Sequence, residues 1–375
     1  MTTLTLARAA AMCAVAFSSS APAQGKAPGS ATPIPLVVGL TVTTSVRAVE
    51  GDYDALANVT GMDARNVSLT IAADAPQSPG GPPQEVSISR TVQMVDLKEG
   101  RTMKYFFTSA DPDVIAGSTA IEVSAAVLED LRKTGTSQIT LDGRAGGLFG
   151  AVGDLLASAG KASGVGRLLD SRMQASGTIT LVEKTTVRFA VLVNGKIASL
   201  PVYHVRGHLG DGDNSEDAEL FILDDVANPL VLREAINGET SEVTKIEFPE
   251  ANASNVLEKE LAKDRRTVLY GIYFDFNSAT LKPQSEPVLR EIVAVMKREP
   301  AWTLKVEGHT DNVGDNAKNL DLSTRRAAAV KAALVERGVP ASRLDTGGYG
   351  SQVPRETNTT LAGRARNRRV ELSRE

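Results

Sequence analysis

The chain has 375 residues, 42% hydrophobic and 23% charged, with a formal net charge of -4 and one cysteine, Cys13. This is the composition of a folded protein, and the length calls for at least two domains. Charge is uneven. From Thr267 to Glu375 there are 17 basic and 13 acidic residues, and from Gln24 to Arg266 there are 23 basic and 32 acidic. The mildly basic end suits an anionic polymer, but it lacks the dense basic and aromatic patches that nucleic acid requires.

The first residues read as a secretory signal peptide spanning 1–23. Met1 to Arg8 carry one positive charge, Ala9 to Phe17 form a short apolar core, and Ser18 to Ala23 end in a small-residue A-x-A pattern. Cys13 follows Ala10-Ala11-Met12, which lack the Leu and small-residue pattern that precedes a lipid-bearing cysteine. Cleavage after Ala23 leaves a mature chain without cysteine and so without a disulfide. No later run approaches the roughly 18 apolar residues of a membrane-spanning helix.

Residues 24–35 are rich in Gly, Pro, Ser and Ala and read as a flexible leader. Residues 36–249 read as one mostly antiparallel β domain. Its expected strands are Leu36 to Val49, Val67 to Ala72, Val86 to Val95, Arg101 to Phe107, Ser176 to Val182, Thr186 to Val193, Lys196 to Val205, Ala218 to Leu223 and Ser241 to Phe248. Ile121 to Val123 is a short extended piece. Pro76 to Gln84 is a loop, and Asn194-Gly195 is a hairpin turn signal. Ser124 is placed to cap a helix that ends at about Lys133, before Gly135. Gly146 to Asp170 mixes small residues with Leu, Phe and Val, and reads as a Gly-rich surface excursion rather than a lipid-touching flap.

Within this domain, His204 and His208 have the i, i+4 spacing of a helical zinc pair, but their surroundings alternate like a strand. The acidic loop Asp211 to Asp217 lacks the glutamate twelve places on that a calcium loop needs. Neither is taken as a metal site, and no metal or cofactor is expected.

Glu250 to Arg266 reads as a helical linker capped by Ser254. The remainder, 267–375, alternates strands with helices. Strands are expected at Thr267 to Phe274, Trp302 to Gly308, Arg343 to Gly350 and Arg368 to Leu372. Helices are expected from Pro283 to Arg298 and from about Asn319 to Gly338, with a short turn or helix at Leu361 to Asn367. Between them, Gly308 to Ala327 (GHTDNVGDNAKNLDLSTRRA) runs from a strand end through a polar loop into a helix. It puts a carboxylate, Asp311, at the strand end and a guanidinium, Arg326, in the early turns of the helix. Such a pair suits a zwitterion, since Arg reads a carboxylate with two parallel hydrogen bonds and Asp accepts from an ammonium.

Three stretches here carry a family pattern: Tyr273-Phe274-Asp275-Phe276-Asn277, the Gly308–Ala327 segment, and Gly363 to Glu371 (GRARNRRVE). Together they closely resemble the OmpA-like peptidoglycan-binding domain. The resemblance covers about residues 267–375 and implies an α/β sandwich with a mixed sheet and two main helices. The expected class for the whole chain is therefore α+β. The resemblance further implies that Asp311 holds the ammonium and Arg326 the carboxylate of diaminopimelate in the peptidoglycan stem peptide. Thr310, Asn319, Leu322 and Ser323 would line that pocket, with Asn277 and Arg369 approaching from the flanking motifs. Arg325 reads as a surface charge and His309 as a loop-shaping residue without catalytic partners. The 4% aromatic content argues against the β-barrel that can accompany this domain.

The expectation is a non-enzymatic, exported protein of the Gram-negative envelope. It would sit in the periplasm and hold peptidoglycan, with an outer-membrane or other envelope protein as the candidate partner of the β domain. The alternative is a carrier of a lipid or apolar ligand anchored to the wall.

Overall fold

A computed structural model describes residues 33–48, 51–76, 83–104, 113–119, 122–142, 174–211, 215–236, 239–249 and 256–375. The signal peptide, almost all of the leader, the Gly-rich segment Gly146 to Asp170 and the Ser254 cap lie outside the described residues.

The N-terminal module begins with a four-stranded antiparallel meander: β1 (Thr41–Ala48), β2 (Gly51–Met62), β3 (Asn66–Pro76) and β4 (Pro83–Gln93). Strand β2 was not expected from the sequence. Its GDYDALANVTGM is rich in Gly, Asp, Asn and Ala, which are poor strand formers. What holds it is pairing along its length with β1 on one side and β3 on the other. A short helix α1 (Met94–Glu99) and β5 (Thr102–Lys104) follow, and the rest of the expected Arg101–Phe107 strand lies outside the described residues.

Helix α2 (Ala125–Thr134) forms as its end signals dictate. The Ser124 hydroxyl accepts from the Val127 N–H at 3.3 Å, and Gly135 closes the helix at φ 78°. Its apolar face, Val127, Leu128 and Leu131, packs on β6 (Thr136–Asp142), β7 (Gln174–Leu181), β9 (Lys196–Leu209) and β10 (Glu216–Leu223). Glu122 and Val123, from the expected short extended piece, belong to no strand of the sheet.

Strand β8 (Val187–Val193) turns into β9 through Asn194 and Gly195, both at positive φ (45° and 76°), as a two-residue hairpin requires. Strands β11 (Val231–Ile236) and β12 (Glu239–Glu247) complete the module. The pairings β12–β11–β10–β9–β8–β12 close a ring, because β8 joins β12 in parallel beyond the end of β11. Val191, Val202, Leu200, Leu232, Val243 and Ile246 are buried in the core beside it. Strands β6 and β11 were also unforeseen. Each is short and carries several polar residues, TSQITLD and VLREAI, so a period-two signal is weak in both.

The C-terminal module opens with α3 (Val256–Asp264), expected as a linker, which buries Leu257 and Leu261 in the C-terminal core. Its sheet has the order β13 (Arg266–Leu269), β16 (Val370–Arg374), β14 (Leu304–Gly308), β15 (Leu344–Gly348). Only β14 and β15 run parallel, so the sheet is mixed. Helix α4 (Glu286–Arg298) and helix α5 (Asn316–Glu336) pack into the same core. Helix α5 starts a turn earlier than expected, because Asp315 caps it by accepting from the Lys318 N–H at 3.0 Å. The last helix, α6 (Leu361–Asn367), packs against β1 and β12 and brings the two modules together. Among the described residues, no helix is long and apolar enough to cross a membrane.

Candidate functional site

The site forms where β14 hands over to α5. Helix α5 crosses so close to the strand that a Cβ at Gly308 would lie 2.2 Å from the Ser323 carbonyl oxygen, and only glycine fits. The Ser323 hydroxyl receives the Gly350 N–H at 2.9 Å, and the Gly350 carbonyl receives the Thr310 N–H at 2.9 Å. The Asn319 amide donates to the Val313 carbonyl at 3.0 Å, closing the loop around Gly314, which has φ 87°. This bracing sets the direction of Asp311.

Asp311 is buried, at 7% exposure. Its Oδ1 accepts the Val313 N–H at 3.0 Å and its Oδ2 meets Arg368 Nη1 at 2.7 Å. Arg326 lies on the facing turn of α5. It stacks on Phe274, with its guanidinium carbon 4.8 Å from the ring centre. Its Nε donates to the Ser278 carbonyl at 2.8 Å and its Nη2 to the Asp275 carbonyl at 3.4 Å. Among the described residues no carboxylate forms an ion pair with it. Burial, followed by repulsion from Arg368, lowers its pKa to about 10. Asp311 and Arg326 therefore do not pair across the loop. They line one cavity of about 290 Å³.

Thr310, Asn319, Leu322, Asn277 and Arg369 also line this cavity. Ser323 does not. It is fully buried beneath it, as part of the loop bracing. Arg369 turns its Nε to Glu371 at 2.6 Å and is held there. Arg325 pairs on the surface with Asp321, one helical turn away, at 2.8 Å. His309 is buried and stacked on Tyr349, with ring centres 5.2 Å apart. Burial, then the Arg369 charge, lowers its pKa to about 4, so the ring is neutral at pH 7.

Two features were missed from sequence. Arg368, not Arg369, touches Asp311. Strand parity offers a signal for this: Val370 and Leu372 face the helix-covered core while Arg369 and Glu371 face away, which puts Arg368 on the α5 side. The second is that the cavity's other wall is the N-terminal module. Thr43, Ser45, Asp54 and Leu56 line it from β1 and β2, and Lys245 from β12. Arg368 Nη2 lies 2.7 Å from both oxygens of Asp54, and Asp52 pairs with Arg364. Asp74 of β3 meets Lys282 at 3.1 Å.

Elsewhere, His204 lies between Glu183 at 3.0 Å and Glu219 at 2.6 Å, stacked on Phe221, and His208 meets Asp217 at 2.7 Å. Among the described residues, no group of three or more His, Cys, Asp and Glu side chains is arranged to hold a metal ion.

Residues 273–368 match the model of the OmpA family. Outer membrane porin F of Pseudomonas fluorescens is 45% identical over 102 residues, which are 27% of this chain and 31% of that protein. Outer membrane protein A of Bordetella avium is 43% identical over 100 residues, 27% of this chain and 52% of that protein. The chain thus spans about a third to a half of the length of these curated relatives. Among solved structures, the peptidoglycan-associated lipoprotein from Burkholderia pseudomallei is 31% identical, over 28% of this chain and 88% of that one, with a TM-score of 0.27. By its match to that family model, the C-terminal module of this chain is an OmpA-like domain.

Proposed function

We propose that the protein is a non-enzymatic tether of the cell envelope that holds the diaminopimelate of the peptidoglycan stem peptide. Its N-terminal β module is thereby carried at the wall. The observation that supports this is Arg326, a guanidinium beside a cavity that among the described residues has backbone carbonyls but no carboxylate as partners, with Asp311 on the same cavity. A diaminopimelate end brings a carboxylate for Arg326 and an ammonium for Asp311 on a single carbon. Neither group alters covalently, so the chemistry is recognition. Thr310, Asn319 and Leu322 shape the cavity, and Asn277 lies on its rim.

In this reading the protein works in the periplasm, bound to peptidoglycan, with the β module free to meet an outer-membrane or other envelope protein. The carrier alternative has less support. Leu, Val and Ile side chains fill the two cores of the β module, as Leu128, Leu220 and Ile222 do in one and Leu200, Val202 and Leu232 in the other.

The test is co-sedimentation of the mature chain with diaminopimelate-type peptidoglycan. Arg326→Ala should remove about 2–5 kcal/mol of binding, because the ligand carboxylate is left desolvated and unpaired. Equal pelleting of wild type and variant would refute the assignment.

A further inference from the structure

The peptidoglycan pocket has two walls, and the second is not part of the OmpA-like domain. Strands β1 and β2 supply it. Ser45 and Asp54 are directly opposite each other in their antiparallel register, as are Thr43 and Leu56, so all four side chains fall on one face. That face meets the cavity beside Asp311 and Arg326.

Charge makes this wall matter. Of the cations that line the cavity, Arg326, Arg368 and Lys245 feel the charge of Asp54. From the C-terminal domain, Asp311 is the carboxylate that meets them most directly. Arg368 bridges it to Asp54, with Nη1 at 2.7 Å from Asp311 Oδ2 and Nη2 at 2.7 Å from both Asp54 oxygens. Ser45 Oγ donates to Asp54 Oδ1 at 2.6 Å and fixes its direction. Asp54 also acts on Arg326 and Lys245 through its charge. Without Asp54, the fork of Arg368 has one carboxylate left to grip and is free to turn both Nη groups onto Asp311. Asp311 would then be an internal ion pair, poorly able to accept from a ligand ammonium.

We propose that the β1–β2 wall completes the peptidoglycan pocket and that Asp54 is a positioning residue for specificity. By holding one half of the Arg368 guanidinium, it keeps Asp311 open to an ammonium. The ligand is thus selected as a zwitterion through a residue of the N-terminal module. This rests on the reading of Asp311 and Arg326 given above.

The experiment measures binding of two probes to the full chain by calorimetry. One is a diaminopimelate-containing muropeptide, and the other is the same muropeptide with the terminal ammonium acetylated. Wild type should prefer the free ammonium. Asp54→Asn should weaken the free-ammonium probe about tenfold while leaving the acetylated probe within about twofold, so the preference collapses. Asp54→Glu should restore part of it. Arg366→Ala breaks a contact between the modules outside the cavity, with the Ala190 carbonyl at 3.5 Å, and should leave the preference intact, which separates positioning from simple loosening of the modules. Equal or tighter binding of the free-ammonium probe by Asp54→Asn would overturn the proposal and mean that the wall obstructs the pocket. Arg326→Ala is the separate control. If it leaves both probes bound, the pocket assignment fails, whatever Asp54 does.

Discussion

In the C-terminal module the buried carboxylate Glu371 meets Arg369 at 2.6 Å and Arg266 at 2.7 Å. In the β module the Glu122 carboxylate receives the Val231 N–H at 3.0 Å, and among the described residues no cation pairs with it. Both groups are withdrawn from water, but with opposite results. Despite the desolvation, Arg369 and the neighbouring charges hold Glu371 below its ordinary carboxylate value. Desolvation pushes Glu122 up to about 8. Glu234 and Glu242 of the β module are likewise raised by burial, while in the C-terminal module Glu291 is a raised exception. Glu371 and Glu122 therefore respond to pH in opposite directions, although the β module also holds carboxylates lowered by their partners, Asp130 and Glu219 among them.

The largest expected effect comes from breaking the paired charge. Glu371→Gln leaves Arg369, at 5% exposure, as a buried cation without its partner, and should cost about 3–5 kcal/mol of C-terminal stability. Glu371 is depressed in the folded state, so its contribution is present above the ordinary value of 4.5 and lost as pH falls through the folded value. Chemical denaturation at pH 7 and pH 4 checks both points. A loss below about 1 kcal/mol at pH 7 would mean that the pair is screened and the contrast with Glu122 is false.

His309 should contribute next. Its folded pKa of about 4 lies below the ordinary 6.5, so below pH 6.5 the unfolded chain binds a proton that the folded chain refuses. Stability is complete above 6.5 and falls as pH drops towards 4, by roughly 2–3 kcal/mol. His309→Phe keeps a ring to stack on Tyr349 and removes the titration, so the acid slope of the melting temperature should flatten. An unchanged slope would remove His309 from the account.

Glu122 should act in the other direction. Its folded pKa exceeds the ordinary 4.5, so its contribution is complete below 4.5 and is lost as pH rises through about 8. Glu122→Gln keeps an acceptor for the Val231 N–H and should stabilise the β module at pH 8 by about 2 kcal/mol, with partial solvent contact limiting the gain. At pH 4 the two proteins should match. Equal melting curves at pH 8 would show that water reaches Glu122 freely.

How far these features could be read from sequence follows the same division. The C-terminal elements were legible because motif and period agree: Gly308 must be glycine beside Ser323, and Leu289, Ile292, Val293 and Met296 repeat at helical spacing, although the Asp315 cap that starts α5 a turn early was not read. In the β module the hairpin at Asn194-Gly195 and the helix from Ser124 to Gly135 were legible for local reasons. Strand β2 was not, since its Gly, Asp and Asn are held extended by neighbours distant in sequence. The part of the site built by β2 was hidden with it. Asp54 and Arg368 are 314 positions apart, and no local pattern links them.

The smallest effect tests whether these pH slopes belong to the titrating groups at all. Each module has one main helix with an oxygen cap: Ser124 on α2, fully buried, and Asp315 on α5, exposed. Loss of either cap leaves an N–H unsatisfied and should cost about 1 kcal/mol. A hydroxyl does not titrate over the working range, so Ser124→Ala should lower β-module stability by the same amount at pH 4, 6 and 8. Asp315→Ala should lower C-terminal stability at pH 8 by a similar amount. If Ser124→Ala itself showed a pH-dependent loss, the alkaline weakening of the β module would have to be assigned to a general loosening around α2 rather than to Glu122, which lies two residues before that cap.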